Sequence, residues 1–289
     1  MFEYMSFNIA PWGSELTIYF FLIGMGGMSF ALATSPSMFG KAFKVFEPVQ
    51  MMGLGAAFLV VAICGPLLIT DLGQPGRFLY PIIHFHWTSP LSWGATFLVL
   101  FTACIVIYAW GLKTGQTGIL KPVAIIGSLL GLSMPLYTGL DLMVNTTREV
   151  WATPWMPLLF TVLSVTSGAA LMSLIAMMRN AEGAMAILRT TLQISVGVTF
   201  FLFLGLWVTL LYGSEELHQA WEILNGEFSF FLWVLTFLVG ILVPLGALFL
   251  PSLSRQPGVV VLAGITGSIG AYTFRHVILL AGQMPQLYF

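Results

Sequence analysis

Hydrophobic positions in this chain come in solid blocks rather than alternating with polar ones. Eight blocks stand out, at roughly 15–35, 48–70, 90–111, 121–143, 155–178, 190–212, 228–249 and 259–281. A helix needs about 20 mostly apolar residues to cross a bilayer, whereas a membrane barrel would alternate with a period of two. The pattern predicts an all-α integral membrane protein with eight transmembrane helices, forming one transmembrane domain over residues 1–289. Short polar breaks separate the blocks, among them "DLGQPGRFLYPIIHFHWTS", "NTTREVWATP" and "GSEELHQAWEILNGE".

The bases within those breaks orient the protein. Lys41, Lys44, Lys113, Lys121, Arg179, Arg189 and Arg255 all fall in the odd-numbered loops. Only Arg77 and Arg148 fall in the even-numbered ones, and Arg275 lies inside the last block. The positive-inside rule then places the odd loops in the cytoplasm and both termini on the extracytoplasmic side. The sixth loop, with Glu215, Glu216, Glu222 and Glu227 and no base, becomes an outward-facing surface.

Composition narrows the chemistry. Of 289 residues 58% are hydrophobic and 7% charged, with a net charge of −1, so neither a soluble fold nor a nucleic-acid surface is expected. The two cysteines, Cys64 and Cys104, each sit in an apolar block and form no CxxC cluster, which speaks against iron–sulfur or zinc ligation by these residues. Of the four histidines only His276 falls clearly within a block; His84, His86 and His218 lie in loops. A bis-histidine haem is therefore not expected, and no metal is. The first 14 residues carry no base, so no cleavable signal is expected.

Ionisable groups inside a membrane span are costly and mark functional sites by default. Tyr137 and Asp141 lie four apart in the fourth block, so one helix face carries both. Glu15 and Tyr19 repeat that spacing at the start of the first block, Asp71 closes the second, and Arg275 and His276 lie in the eighth. On the orientation above all of them fall in the outer half of the bilayer, which suggests a polar cavity open to one side. Plainer roles stand beside this: Asp141 and Arg275 as a packing ion pair, Tyr137 as an interfacial residue, Asp71 as a turn residue beside Pro75. "GMGGMSFA" in the first block reads as a site of close helix approach.

Several strings also resemble a known family. "DLGQPGRF" followed by "SPLSWG" is similar to the DLGxPxRF…SPMSWG signature of NrfD/PsrC-type membrane subunits, the polysulfide reductase NrfD family. "YTGLDLM", "REVWATPWMPLLFTVLSVTSGAAL", "FFLWVLTFLVGILVPL" and "RHVILLAGQ" resemble later stretches of it in the same order, together covering roughly residues 15–283. The resemblance implies a multi-pass subunit of the bacterial inner membrane that binds no haem or metal itself. It implies electron exchange between menaquinone or ubiquinone and a ferredoxin-like partner with [4Fe–4S] clusters, which docks a molybdopterin-type or other redox subunit. Tyr137, in the YTG element, corresponds to the family's quinone-site tyrosine, and Tyr19 stands where the best-known case has a histidine. Asp141 departs from the family, whose members have an apolar residue after the YTG element; from the residues themselves it and Asp71 are expected as proton carriers, and Glu15 and Arg275 as further quinone contacts.

The chemistry of the residues agrees with this. A quinol loses two protons with two electrons, so its site needs a hydrogen-bond partner for each ring oxygen and a titratable route to water. Two other classes remain open at this level: a secondary transporter, whose site would lie nearer mid-depth, and a purely structural anchor.

Overall fold

The computed structural model describes residues 12–71 and 75–284, with the side chains of Asp71 and Pro75 outside the described set. Every described element is helical. The long helices are α1 (Ser14–Phe39), α2 (Gln50–Asp71), α3 (Pro90–Thr114), α4 (Thr117–Met143), α5 (Trp155–Met178), α6 (Glu182–Tyr212), α7 (Phe230–Phe249) and α8 (Pro257–Ala281). Counted as uninterrupted helical runs of crossing length they number seven among the described residues, because Ser14–Thr70 forms one run of 57 residues. That run is far longer than a bilayer requires. A tightly wound stretch, Gly40–Val49, divides it into α1 and α2, which fold back on each other. Gly53 of α2 lies beside Ala33 of α1, and Val60 lies beside Gly26, so the pairing runs antiparallel.

α1 is the central helix, packing on α2, α4, α5 and α8. Its glycines explain how. A Cβ at Gly24 would collide with Ser164 of α5, one at Gly26 would press on Val60 of α2, and one at Gly27 would strike the backbone of Gly131 on α4. The "GMGG" string thus brings three helices to one shaft, as small residues do where lipid supplies no hydrophobic drive for helix association. In the second half, Gly240 of α7 meets Gly270 of α8 backbone to backbone. Much of α7, Phe230–Leu242, is wound as a π-helix.

Trp12 and Gln283 come together at one end, here the terminal end. Trp12 donates its backbone N–H to Gln283 Oε1 (2.7 Å), and Gln283 Nε2 donates to the Trp12 carbonyl (2.9 Å). The Trp12 ring stacks on Trp151 at 5.2 Å. The Trp151 indole donates to the Ile278 carbonyl (2.7 Å) and covers Gly282. This staple accounts for the closing "AGQ" string: glycine admits the indole, and glutamine ties down the start of α1. At the opposite, basic end, the buried Tyr108 hydroxyl is held by Ser37 (2.6 Å) and Gln50 (2.9 Å).

Candidate functional site

The terminal half of the ring formed by α1–α4 holds a group of polar side chains, of which the Tyr19 hydroxyl is buried without a partner. Tyr19 of α1 is 1% exposed, and its hydroxyl has no hydrogen-bond partner. Tyr137 of α4 is 6% exposed, and Asp141 lies one turn further along the same face. Neither the Tyr137 hydroxyl nor the Asp141 carboxyl has a side-chain hydrogen-bond partner among the described residues. Tyr19 lies in electrostatic range of Asp141 and of the Cys64 thiol on α2, and Tyr137 in range of Tyr19 and Asp141. A buried hydroxyl without a partner costs on the order of 1–3 kcal/mol. Tyr19 in this state, with Tyr137 and Asp141 nearby, leaves donor and acceptor capacity for a ligand.

Local chemistry sets the positions. In α4, Thr138 Oγ1 donates to the Pro135 carbonyl (2.9 Å) and Gly139 sits against the backbone of Pro157 on α5, so Tyr137 alone of the "YTG" string faces the ring. Across from it, "SPLSWG" builds the start of α3. Ser89 is the N-cap, accepting from the Ser92 N–H at 3.4 Å, and Pro90 stands in the first turn. Ser92 Oγ accepts from the His86 N–H (3.4 Å), and the Trp93 indole donates to the Trp87 carbonyl (3.0 Å). Gly94 carries the Tyr137 phenol directly on its backbone.

Other expected residues lie differently. Glu15 is exposed at the start of α1, outside the cluster. Arg275 is fully buried; Nη1 donates to the Ala271 carbonyl (2.8 Å) and Nη2 to the Phe160 carbonyl and Ser164 Oγ (both 2.7 Å), while its Nε has no partner. Its guanidinium stacks over Phe160 at 5.1 Å. Its guanidinium turns to α5 and, among the described residues, it makes no ion pair with Asp141, so the packing alternative for that pair falls away. The Asp71 side chain, expected to carry protons, lies outside the described residues. Arg77 stands beyond it with its guanidinium over Tyr80 (5.7 Å). His84 and His86 lie in the second loop and His218 in a short helix, Glu215–Asn225, while His276 is half-buried, stacked on Tyr272 and 3.4 Å from Thr17 Oγ1.

Reading the sequence missed Gly94, Cys64 and Ser164. The glycine was visible inside "SPLSWG", but nothing in a single sequence says that a tyrosine 43 positions later rests on it.

The family described as "Polysulphide reductase, NrfD" matches residues 3–285. The chain belongs to the NrfD family. Similar proteins include a selenate reductase subunit of Mesobacillus selenatarsenatis, 23% identical over 94% of this chain and 74% of that protein. Protein NrfD of Escherichia coli is 24% identical, and a polysulfide reductase chain of Wolinella succinogenes is also 24% identical. Each of these two alignments spans 96% of both proteins. This NrfD-family protein spans the membrane several times, as its apolar helices require, and its own "YTG" and "SPLSWG" strings are the two that build the Tyr137–Gly94 contact.

Proposed function

We propose that this NrfD-family protein is the quinone-reactive membrane subunit of a reductase complex in a bacterial cytoplasmic membrane. The observation that carries the reading is the convergence of Tyr19, Tyr137 and Asp141, without side-chain hydrogen-bond partners, in the same half of one helical ring. A quinone ring presents two oxygens on opposite edges. Tyr19 and Tyr137, one from α1 and one from α4, offer a hydroxyl to each. Asp141, on the Tyr137 face and only partly covered, takes or returns a proton at the wet end. A quinol oxidised here gives the quinone, two protons and two electrons; reduction runs the same balance backwards. Menaquinone or ubiquinone meets these requirements equally, and no haem or metal held by this subunit is part of the scheme.

The electrons need an acceptor or donor within tunnelling distance of the cluster. Two of the relatives bear the names of reductase components, one a subunit and the other a chain, which supports a multi-subunit assembly. A ferredoxin-like partner with [4Fe–4S] clusters would dock on the terminal end and connect to a molybdopterin-type catalytic subunit. The base distribution supports eight crossings with that end outside the cytoplasm: seven of the ten bases lie in the odd-numbered loops or in the helix ends that flank them.

Inhibition of the assembled complex by a quinone analogue, competitive with quinol, tests the chemistry; full quinol-linked turnover at saturating analogue removes it. Alkaline phosphatase fused after Phe289 should be active, and activity of a cytoplasmic reporter there instead would reverse the orientation.

A further inference from the structure

α1–α4 form a ring around the Tyr19–Tyr137–Asp141 cluster, and its seams are not equal. α1 closes on α2 through Gly26 and Val60, and on α4 through Gly27 and Gly131. α4 and α3 are packed along their length, with the Tyr137 phenol on Gly94 and the Gly127 backbone beside Cys104. α2 and α3 touch only sparsely. Between them runs a cavity of about 370 Å³, walled by Val61, Gly65 and Leu68 of α2 and by Ala95 and Leu98 of α3. Phe78 and Leu79 of the second loop roof it at the terminal end.

The lining of this cavity holds none of Tyr19, Tyr137 and Asp141, but it comes to the sequence neighbours of residues that border them. Gly65 follows Cys64, which lies in range of Tyr19; Ala95 follows Gly94, which carries the Tyr137 phenol. Its walls are hydrocarbon, and it reaches the outside of the bundle, where Phe58 and Val99, both on its lining, are exposed. We infer that the α2–α3 seam is the lateral portal of the site, in which the isoprenoid tail of a lipid quinone lies while its ring reaches the phenols of Tyr19 and Tyr137. The inference rests on the quinone reading above and adds where the molecule comes in from the bilayer and which residues select for its tail. A long apolar tail is costly to leave in a polar chamber and costs nothing to leave in lipid, so a site for such a molecule must open sideways through one seam.

A second groove, about 410 Å³ between α3 and α4, is lined by Tyr137 itself, which the α2–α3 cavity is not, together with Trp93, Ser133 and Leu136. This furrow runs along the more extensively packed of the two seams, since α3 and α4 contact each other far more than α2 and α3 do. The α2–α3 cavity parts two helices; the furrow does not.

Gly65 makes the inference testable. A Cβ there would meet nothing within 4 Å, so a larger side chain fills the cavity without displacing packed atoms. The test uses the whole reductase complex in liposomes, with a long-tailed menaquinol and tail-less menadiol as electron donors, and the corresponding ubiquinols in parallel. Gly65→Phe should raise KM for the tailed quinol about tenfold while leaving kcat, and KM for the tail-less donor, within about twofold. Ala95→Leu should do the same from the facing wall, which covers the case in which Gly65→Phe assembles poorly. Ser133→Phe, in the α3–α4 furrow, should change neither donor. Unchanged KM for the tailed quinol in both seam variants overturns the portal, as does a rise confined to Ser133→Phe. Equal losses with both donors in the seam variants also overturn it, because the ring site and not the tail would then be disturbed. A wild-type complex that oxidises none of the quinols removes the quinone reading itself, an outcome distinct from intact quinol oxidation that ignores the seam.

Discussion

The Tyr137 phenol of α4 rests on the bare backbone of Gly94 in α3: a Cβ at Gly94 would lie 2.5 Å from the tyrosine hydroxyl oxygen and overlap the ring. Two strings far apart in the chain, "YTG" and "SPLSWG", thus meet in one contact. Because the hydroxyl end of the ring is the part supported, the contact fixes where the proposed quinone ligand points.

Gly94→Ala should therefore damage the site without touching a polar group. The added methyl forces the phenol aside, an overpacking change worth about 1–3 kcal/mol. Binding of a quinone-analogue inhibitor to the assembled complex should weaken about fivefold or more, with near-normal complex yield. Unaltered inhibitor binding would show that the phenol position is irrelevant to the ligand.

Tyr137→Phe removes the hydroxyl and keeps the ring on Gly94. Losing one hydrogen bond to a ring oxygen costs about 0.5–1.5 kcal/mol, or roughly two- to tenfold in affinity, and more in rate if the bond strengthens as charge develops. Quinol-linked electron transfer should fall while the complex assembles normally. Because Gly94→Ala acts through the same side chain, the double variant should lose much less than the two single losses combined.

Asp141→Asn retains hydrogen-bonding capacity and abolishes titration. With no ion pair between Asp141 and Arg275, assembly should be unaffected and quinol turnover reduced, while inhibitor binding changes little. A collapse in assembled complex would mean that the carboxylate has a structural partner.

Arg275→Ala tests the opposite assignment, a structural cation. It leaves the Phe160 and Ala271 carbonyls and Ser164 Oγ without their guanidinium donors and opens a cavity beneath Phe160. A loss on the order of 2–4 kcal/mol is expected, seen as earlier thermal unfolding of the detergent-solubilised complex. Arg275→Lys should recover only part, because a single ammonium cannot reproduce the planar fork. Normal stability with lost turnover would instead put Arg275 at the ligand.

Several features of this protein can be read along one dimension. Most helix ends lie within a few residues of the hydropathy blocks: α2 ends at Asp71 and α5 begins at Trp155, as the apolar runs indicate, whereas α6 begins at Glu182, well before its block at 190. The pairing of Tyr137 with Asp141 follows from helical spacing alone, and the crowding glycines of "GMGG" are recognisable because lipid-embedded helices associate through small residues. What a helix carries, and at what depth, is set by the bilayer acting on each segment separately.

Azimuth is not written that way. Tyr19 and Glu15 share a face by spacing, yet Tyr19 is buried in the ring while Glu15, in the first turn of α1, stands beyond the helices that enclose it. Arg275 and Asp141 share the terminal half of the bundle, yet the arginine turns to Phe160 and Ser164 because α8 packs on α5. The unsealed α2–α3 seam has no local signal at all: Gly65 reads like any other glycine until its neighbours are found to be missing. The order of residues is enough to say which segments are helical, how long they are and which loops carry the bases, since hydropathy and charge act residue by residue. Which polar groups meet and which seam stays open emerge only in the folded bundle, since both depend on close approaches between helices that are distant in the chain.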